Sequence, residues 1–71
     1  MKNPKFSIGE TVVATVSVRG SREPSMCSVG MKMMVEGIEK CGDTYKYICG
    51  YDGYELYENQ LLSVEEYREA V

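Results

Sequence analysis

From Thr11 to Val18 the side chains alternate between two sets, and both sets are rich in β-branched residues. The even positions are Val12, Ala14, Val16 and Val18; the odd positions are Thr11, Val13, Thr15 and Ser17. A period of two in branched residues is the pattern of a half-buried strand, so the spacing predicts a strand over 11–18. Just before it, Gly9-Glu10 marks a turn, with Phe6 and Ile8 available to pack beneath.

The same period returns further along, each time cut short by turn residues. Met31, Met33 and Val35 alternate on one face, but the next apolar residue is Ile38 and not position 37. One extra residue at Glu36-Gly37 would restore the phase, which is what a β-bulge supplies, and a bulge bends a strand so that a short sheet folds over itself. Cys41-Gly42-Asp43 then reads as a turn. Thr44 to Cys49 reads as a strand with Tyr45, Tyr47 and Cys49 on one face and Lys46 and Ile48 on the other. Gly50-Tyr51-Asp52-Gly53 is a second turn, since Asp-Gly is a strong hairpin signal. Tyr54 to Glu58 is the fourth strand, and Asn59 to Leu62 a short helical turn leading to a brief last strand or straight into the final element. Ser63-Val64-Glu65-Glu66 fits a capping box. It predicts a helix over 63–71, with Tyr67 sharing a face with Val64 or Val71. So short a helix needs something to dock against.

Arg19 to Gly30 breaks all periodicity and is dominated by Gly, Ser and Pro. It is expected to be a long mobile loop, and loops of that length in a small domain often carry function.

The chain has 71 residues, enough for a single domain over 1–71, with the core in about 6–62. Four or five short antiparallel strands, a bulge and hairpin links imply a small, strongly bent barrel, mainly β, with a short C-terminal helix. The polar start from Met1 to Lys5 and the lack of any run of about 20 apolar residues point to a cytoplasmic protein with no membrane partner.

The run Phe6-x-x-Gly9-Glu10-x-Val12, then Met33-x-Val35-x-x-Ile38, Tyr45-x-Tyr47-x-Cys49 and Glu58-x-x-Leu61-Leu62 resembles small uncharacterised bacterial proteins with an SH3-like barrel. Its opening is similar to the first strand of KOW and Tudor-type barrels. The resemblance covers residues 6–62. It implies an SH3-like fold and no enzyme, and it supplies no catalytic residues. The tail from Ser63 lies beyond it.

Chemistry-bearing residues are sparse. There is no histidine, and Cys27, Cys41 and Cys49 are too dispersed for a zinc site of four ligands. No cofactor is expected, and reduced structural thiols are the plain reading. Cys41 and Cys49 flank a hairpin and would lie near one another. Cys27, in the loop close to Arg22, is the thiol expected to be exposed. Serines in the loop lack an activating base.

Binding is the remaining function class. Tyr45, Tyr47, Tyr51, Tyr54 and Tyr57 crowd one stretch. Tyr45 and Tyr47 are assigned to packing across the hairpin. Tyr51, Tyr54 and Tyr57, near the turn, are expected to be exposed and to bind, because turn-borne aromatics are natural contacts. Met31 and Met33 are assigned to the core, with Met26 or Met34 outside. Arg19, Arg22 and Lys32 border the loop as a small basic spot, and Asp52, Glu55 and Glu58 would set an acidic rim beside the tyrosines. The candidate site is therefore Tyr51, Tyr54, Tyr57, Arg19, Arg22 and Met26, and the partner another protein. The alternative is a nucleic-acid-associated module of KOW or Tudor type, with bases stacking on tyrosine. A net charge of −3 disfavours it, since phosphate binding calls for a basic face. An uncovered sheet edge would also let one copy pair with another.

Overall fold

The computed structural model describes residues 3–20 and 26–70. Five antiparallel strands form one sheet: β1 (Thr11–Ala14), β2 (Lys32–Cys41), β3 (Thr44–Cys49), β4 (Tyr54–Tyr57) and β5 (Leu61–Ser63). A 3-10 turn (Glu58–Gln60) joins β4 to β5, and a helix, α1 (Val64–Ala70), follows. The strand order is β4-β3-β2-β1-β5. The last strand therefore returns to pair with the first, and β4 and β5 are the two outer strands.

The bend comes from β2. Its register against β3 slips between Val35 and Gly37, at the place where the hydrophobic alternation of the sequence slips. Before the slip β2 pairs with β1; after it β2 pairs only with β3. The ten-residue strand thus belongs to both halves of the sheet, and the bulge turns one half over the other. No strand-to-strand ladder closes the described residues into a barrel. The nearest approach to closure is a single antiparallel bridge from Gly20 to Tyr54.

The bent sheet encloses Phe6, Val12, Ala14, Cys27, Met33, Val35, Tyr47, Cys49, Tyr54, Leu56 and Leu61. Tyr47 is completely buried, and its ring meets Phe6 edge to face at 5.3 Å between centroids. Such pairs add about 0.5–1.5 kcal/mol beyond their buried area. The Tyr47 hydroxyl accepts the backbone N–H of Phe6 at 3.3 Å and donates to Glu58 at 2.9 Å. One buried side chain thereby fastens the N-terminal segment to the 3-10 turn. Burial pushes the phenol of Tyr47 above its ordinary pKa.

Several expectations are corrected. The first strand ends at Ala14, not Val18: Thr15 gives both its N–H and its hydroxyl to the carbonyl of Gln60, which draws the chain out of the ladder with β2. Val13 is buried as well as Val12, because its outward face, shared with its partners Lys32 and Leu62, is covered by α1. Ile8 is exposed at the tip of its turn. Met31 is exposed, not in the core, since it lies before the start of β2. Cys41 sits opposite Thr44 at the turn end of the hairpin. Cys49 is five residues further along, about 17 Å at strand rise, so these two thiols are apart.

The helix is held as its sequence requires. The Glu66 N–H donates to the Ser63 hydroxyl at 3.1 Å and the Ser63 N–H to the Glu66 carboxylate at 2.9 Å. Lys5 adds an ion pair to Glu66 at 3.0 Å. The Ser63 N–H, and then Lys5, hold the Glu66 carboxyl below the usual carboxylate range. Of the two residues expected beside Tyr67, Val64 is on the helix and Val71 lies outside the described residues.

Candidate functional site

Of the segment expected as a long loop, residues 21–25 lie outside the described residues, and the residues on either side of them pair with the rest of the fold. Arg19 and Met26 form an antiparallel bridge, and Gly20 bridges to Tyr54 at the start of β4. Cys27 is the anchor. Its N–H donates to the Val18 carbonyl at 3.0 Å, and its own carbonyl accepts the Ser17 hydroxyl at 2.6 Å. The sulfur accepts from the Val18 N–H and donates to the Val16 carbonyl. Cys27 is therefore buried, not exposed as expected from its place in a loop. Cys49 shares the same core; burial, with Cys27 close by, raises its thiol to about 11. At neutral pH such a thiol stays protonated and inert.

The facing turn, Gly50 to Gly53, is closed by the Gly53 N–H on the Gly50 carbonyl at 3.2 Å and tied to β2 by the Gly50 N–H on the Met34 carbonyl. Gly50 and Gly53 both have positive φ, the conformation in which glycine is least strained. Tyr51 stands at the tip, 85% exposed. Tyr54 does not join it: at 3% exposure it lies in the core, because β4 turns Tyr54 and Leu56 inward and Glu55 and Tyr57 outward. Its ring lies by Met33 beneath Gly50, and its hydroxyl reaches Asp52 at 3.1 Å.

The predicted residues thus separate. The Gly20–Tyr54 bridge sets the loop base, where Arg19 pairs with Met26 (57% exposed), beside the first residue of β4, which follows the turn that carries Tyr51. Tyr57 is at the other end of β4, opposite Lys46. There it lines an open polar cleft of about 510 Å³ with Lys5, Thr44, Glu58, Asn59 and Gln60. Arg22 lies outside the described residues. Lys32 does not join Arg19 but stands on the outer face of β2 beside α1.

The expected acidic rim is dispersed too. Asp52 holds the Tyr54 hydroxyl, Glu55 pairs with Lys46 at 3.1 Å, and Glu58 takes the Tyr47 hydroxyl and the Lys5 N–H. Glu55, with Glu39 on the neighbouring strand, raises the pKa of Lys46.

Residues the sequence did not single out complete the surface. Val29 is 63% exposed, and a second cleft, about 430 Å³, is lined by Lys32, Val64, Tyr67 and Arg68. No spacing signal marks this cleft, because its walls come from β2 and α1, far apart in sequence. Among the described residues, no group of three or more His, Cys, Asp or Glu side chains is placed to hold a metal ion. Nor is any helix among them long and apolar enough to cross a membrane.

Comparison of the chain with protein-family models, with curated proteins and with solved structures found no match.

Proposed function

We propose that this chain is a non-catalytic binding module, an SH3-like bent sheet that captures another protein on the surface formed by Tyr51, Met26 and Arg19. What carries the reading is the exposure of Tyr51, a large aromatic ring held out at 85% accessibility by a turn that is itself fastened to β2. A rigidly presented tyrosine offers contact area at small entropic cost. The exposed methionine beside the loop base adds an adaptable apolar contact. The SH3-like reading is supported by the bulge that folds β2 over and by the return of β5 beside β1.

Affinity capture from the cells in which the chain is made tests this. A double variant, Tyr51→Ala with Met26→Ala, is compared with Tyr57→Ala and with the unaltered chain. All three side chains are largely outside the core, so the fold is retained. The proposal expects proteins held by the unaltered chain and by Tyr57→Ala to be lost from the double variant. Equal capture by all three would overturn it.

A nucleic-acid reading draws on the same exposed ring and on neighbouring Arg19. Its mark would be binding of single-stranded RNA or DNA at low salt that falls steeply as salt rises.

A further inference from the structure

The outer face of the sheet carries a second surface, which shares no residue with the one just described. α1 lies across β1 and β5, and between it and β2 runs the cleft of about 430 Å³. Its lining is mainly apolar, from Val64 and the ring of Tyr67, with a cation on each wall: Lys32 from β2 and Arg68 from α1. Gly30 makes room for it. A Cβ there would stand 2.8 Å from the Tyr67 hydroxyl, so the bare glycine lets the ring lie close against the sheet.

The two cations are conspicuous in a chain of net charge −3. Lys5 and Lys46 are each engaged by carboxylates, Glu66 for the first and Glu39 with Glu55 for the second. Lys32 and Arg68, like Arg19 and Lys40, have no ion pair among the described residues, and these two share the lining of one apolar cleft. An apolar floor between two unneutralised cations is complementary to a ligand with negative charge on either side of a bulky apolar group. The surface also runs past the cleft. Met34 is on the same face of β2 as Lys32, two residues on, and is 51% exposed. Two residues of strand are about 7 Å, so the apolar track suits an extended peptide better than a compact small molecule.

We propose that the groove between α1 and β2 binds an acidic peptide segment of a partner protein, its carboxylates on Lys32 and Arg68 and one large apolar side chain between Val64 and Tyr67. Arg68 supplies a planar, paired set of donors suited to a carboxylate, and Lys32 a point charge.

The probe is a fluorescein-labelled octapeptide of alternating glutamate and leucine. It is titrated into the full chain beside two controls, one alternating lysine and leucine and one alternating glutamate and serine. The proposal expects the glutamate–leucine peptide to bind tightest. It expects amide shifts in the NMR spectrum at Lys32, Val64, Tyr67 and Arg68 and not at Tyr51. Lys32→Glu with Arg68→Glu, both on exposed side chains, should weaken binding about tenfold or more, as two attractive pairs become repulsive. Tyr51→Ala should leave it unchanged. Equal binding of the lysine peptide, shifts confined to the Tyr51 end, or no effect of the charge reversal would overturn the assignment. So would binding of vesicles containing anionic lipid in place of the peptide, or a dimer in sedimentation that the charge reversal abolishes.

Discussion

Replacing Tyr47 with phenylalanine deletes a single oxygen from the interior, and its cost can be worked out from the contacts that oxygen makes. The ring stays, with its edge-to-face contact to Phe6, so packing is conserved. Two hydrogen bonds go: the 2.9 Å bond to the Glu58 carboxylate and the 3.3 Å bond from the Phe6 N–H. A bond to a charged group contributes about 1.5–3 kcal/mol, while the second is long and adds little. Tyr47 has no accessible surface, while the Glu58 carboxylate lines the open cleft and keeps water within reach there. The net loss is put at about 1.5–3 kcal/mol. A chain this size is stable by about 4–11 kcal/mol in all. Its urea slope is about 1 kcal/mol/M, so the unfolding midpoint of Tyr47→Phe should fall by about 1.5–3 M. Tyr57→Phe, which alters an outward-facing ring, should stay within about 0.5 kcal/mol of the parent. If the two substitutions cost the same, the hydroxyl of Tyr47 is not the fastening between the N-terminal segment and the 3-10 turn.

Three further outcomes follow from particular contacts. Gly30 has φ +90° and a space that a Cβ would share with the Tyr67 hydroxyl. Gly30→Ala should therefore cost about 1–2 kcal/mol from backbone strain alone, and Tyr67→Phe placed in the same chain should recover the part due to the clash, measured as a double-mutant cycle. The folded chain raises the Cys49 thiol from 9.0 to about 11. Its neutral form is thus favoured in the fold, and stability is intact below pH 9 and lost as pH climbs from 9 through about 11, by roughly 3 kcal/mol. Cys49→Ala should flatten this part of a pH–stability curve, leaving the alkaline loss from Tyr47 and Lys46, whose pKa values the fold also raises. Ser63→Ala removes the helix cap and should cost about 1 kcal/mol in thermal unfolding. The carboxyl of Glu66 is held low, so its contribution is present above the usual carboxylate range and is lost as pH falls from that range through the lowered folded pKa. That acid loss should persist in Ser63→Ala, whose backbone N–H still reaches the carboxylate.

Local features of the fold were legible wherever neighbours in sequence decide them. The bulge showed in the skipped position between Val35 and Ile38, and the capping box in Ser63 and Glu66. The hairpin of β2 and β3 was marked by Gly42, and its inward side by Tyr47 and Cys49. The errors have a common physical origin in contacts between distant segments. Thr15 leaves the first strand because Gln60, forty-five residues on, accepts its hydrogen bonds. Cys27 is buried because Val16, Ser17 and Val18 hold it. Tyr54 was expected at the surface because it follows a turn, yet strand parity turns it inward together with Leu56. Of the candidate site, the exposure of Tyr51 and Met26 could be read from their places in a turn and a loop. That Arg19 and Met26 sit near this turn while Tyr57 sits at the other end depends on the Gly20–Tyr54 bridge and the length of β4, which no local pattern encodes.

That bridge is the feature on which the assembled surface rests, and two-dimensional proton NMR reads it directly. Backbone cross-peaks should link Gly20 to Tyr54 and Arg19 to Met26, with the Cys27 amide, which donates to the Val18 carbonyl, protected from exchange along with those of β3. Cross-peaks absent at both pairs, with a Cys27 amide exchanging as fast as a free peptide, would show that loop base and turn are independent, and Tyr51, Met26 and Arg19 would then form no common surface.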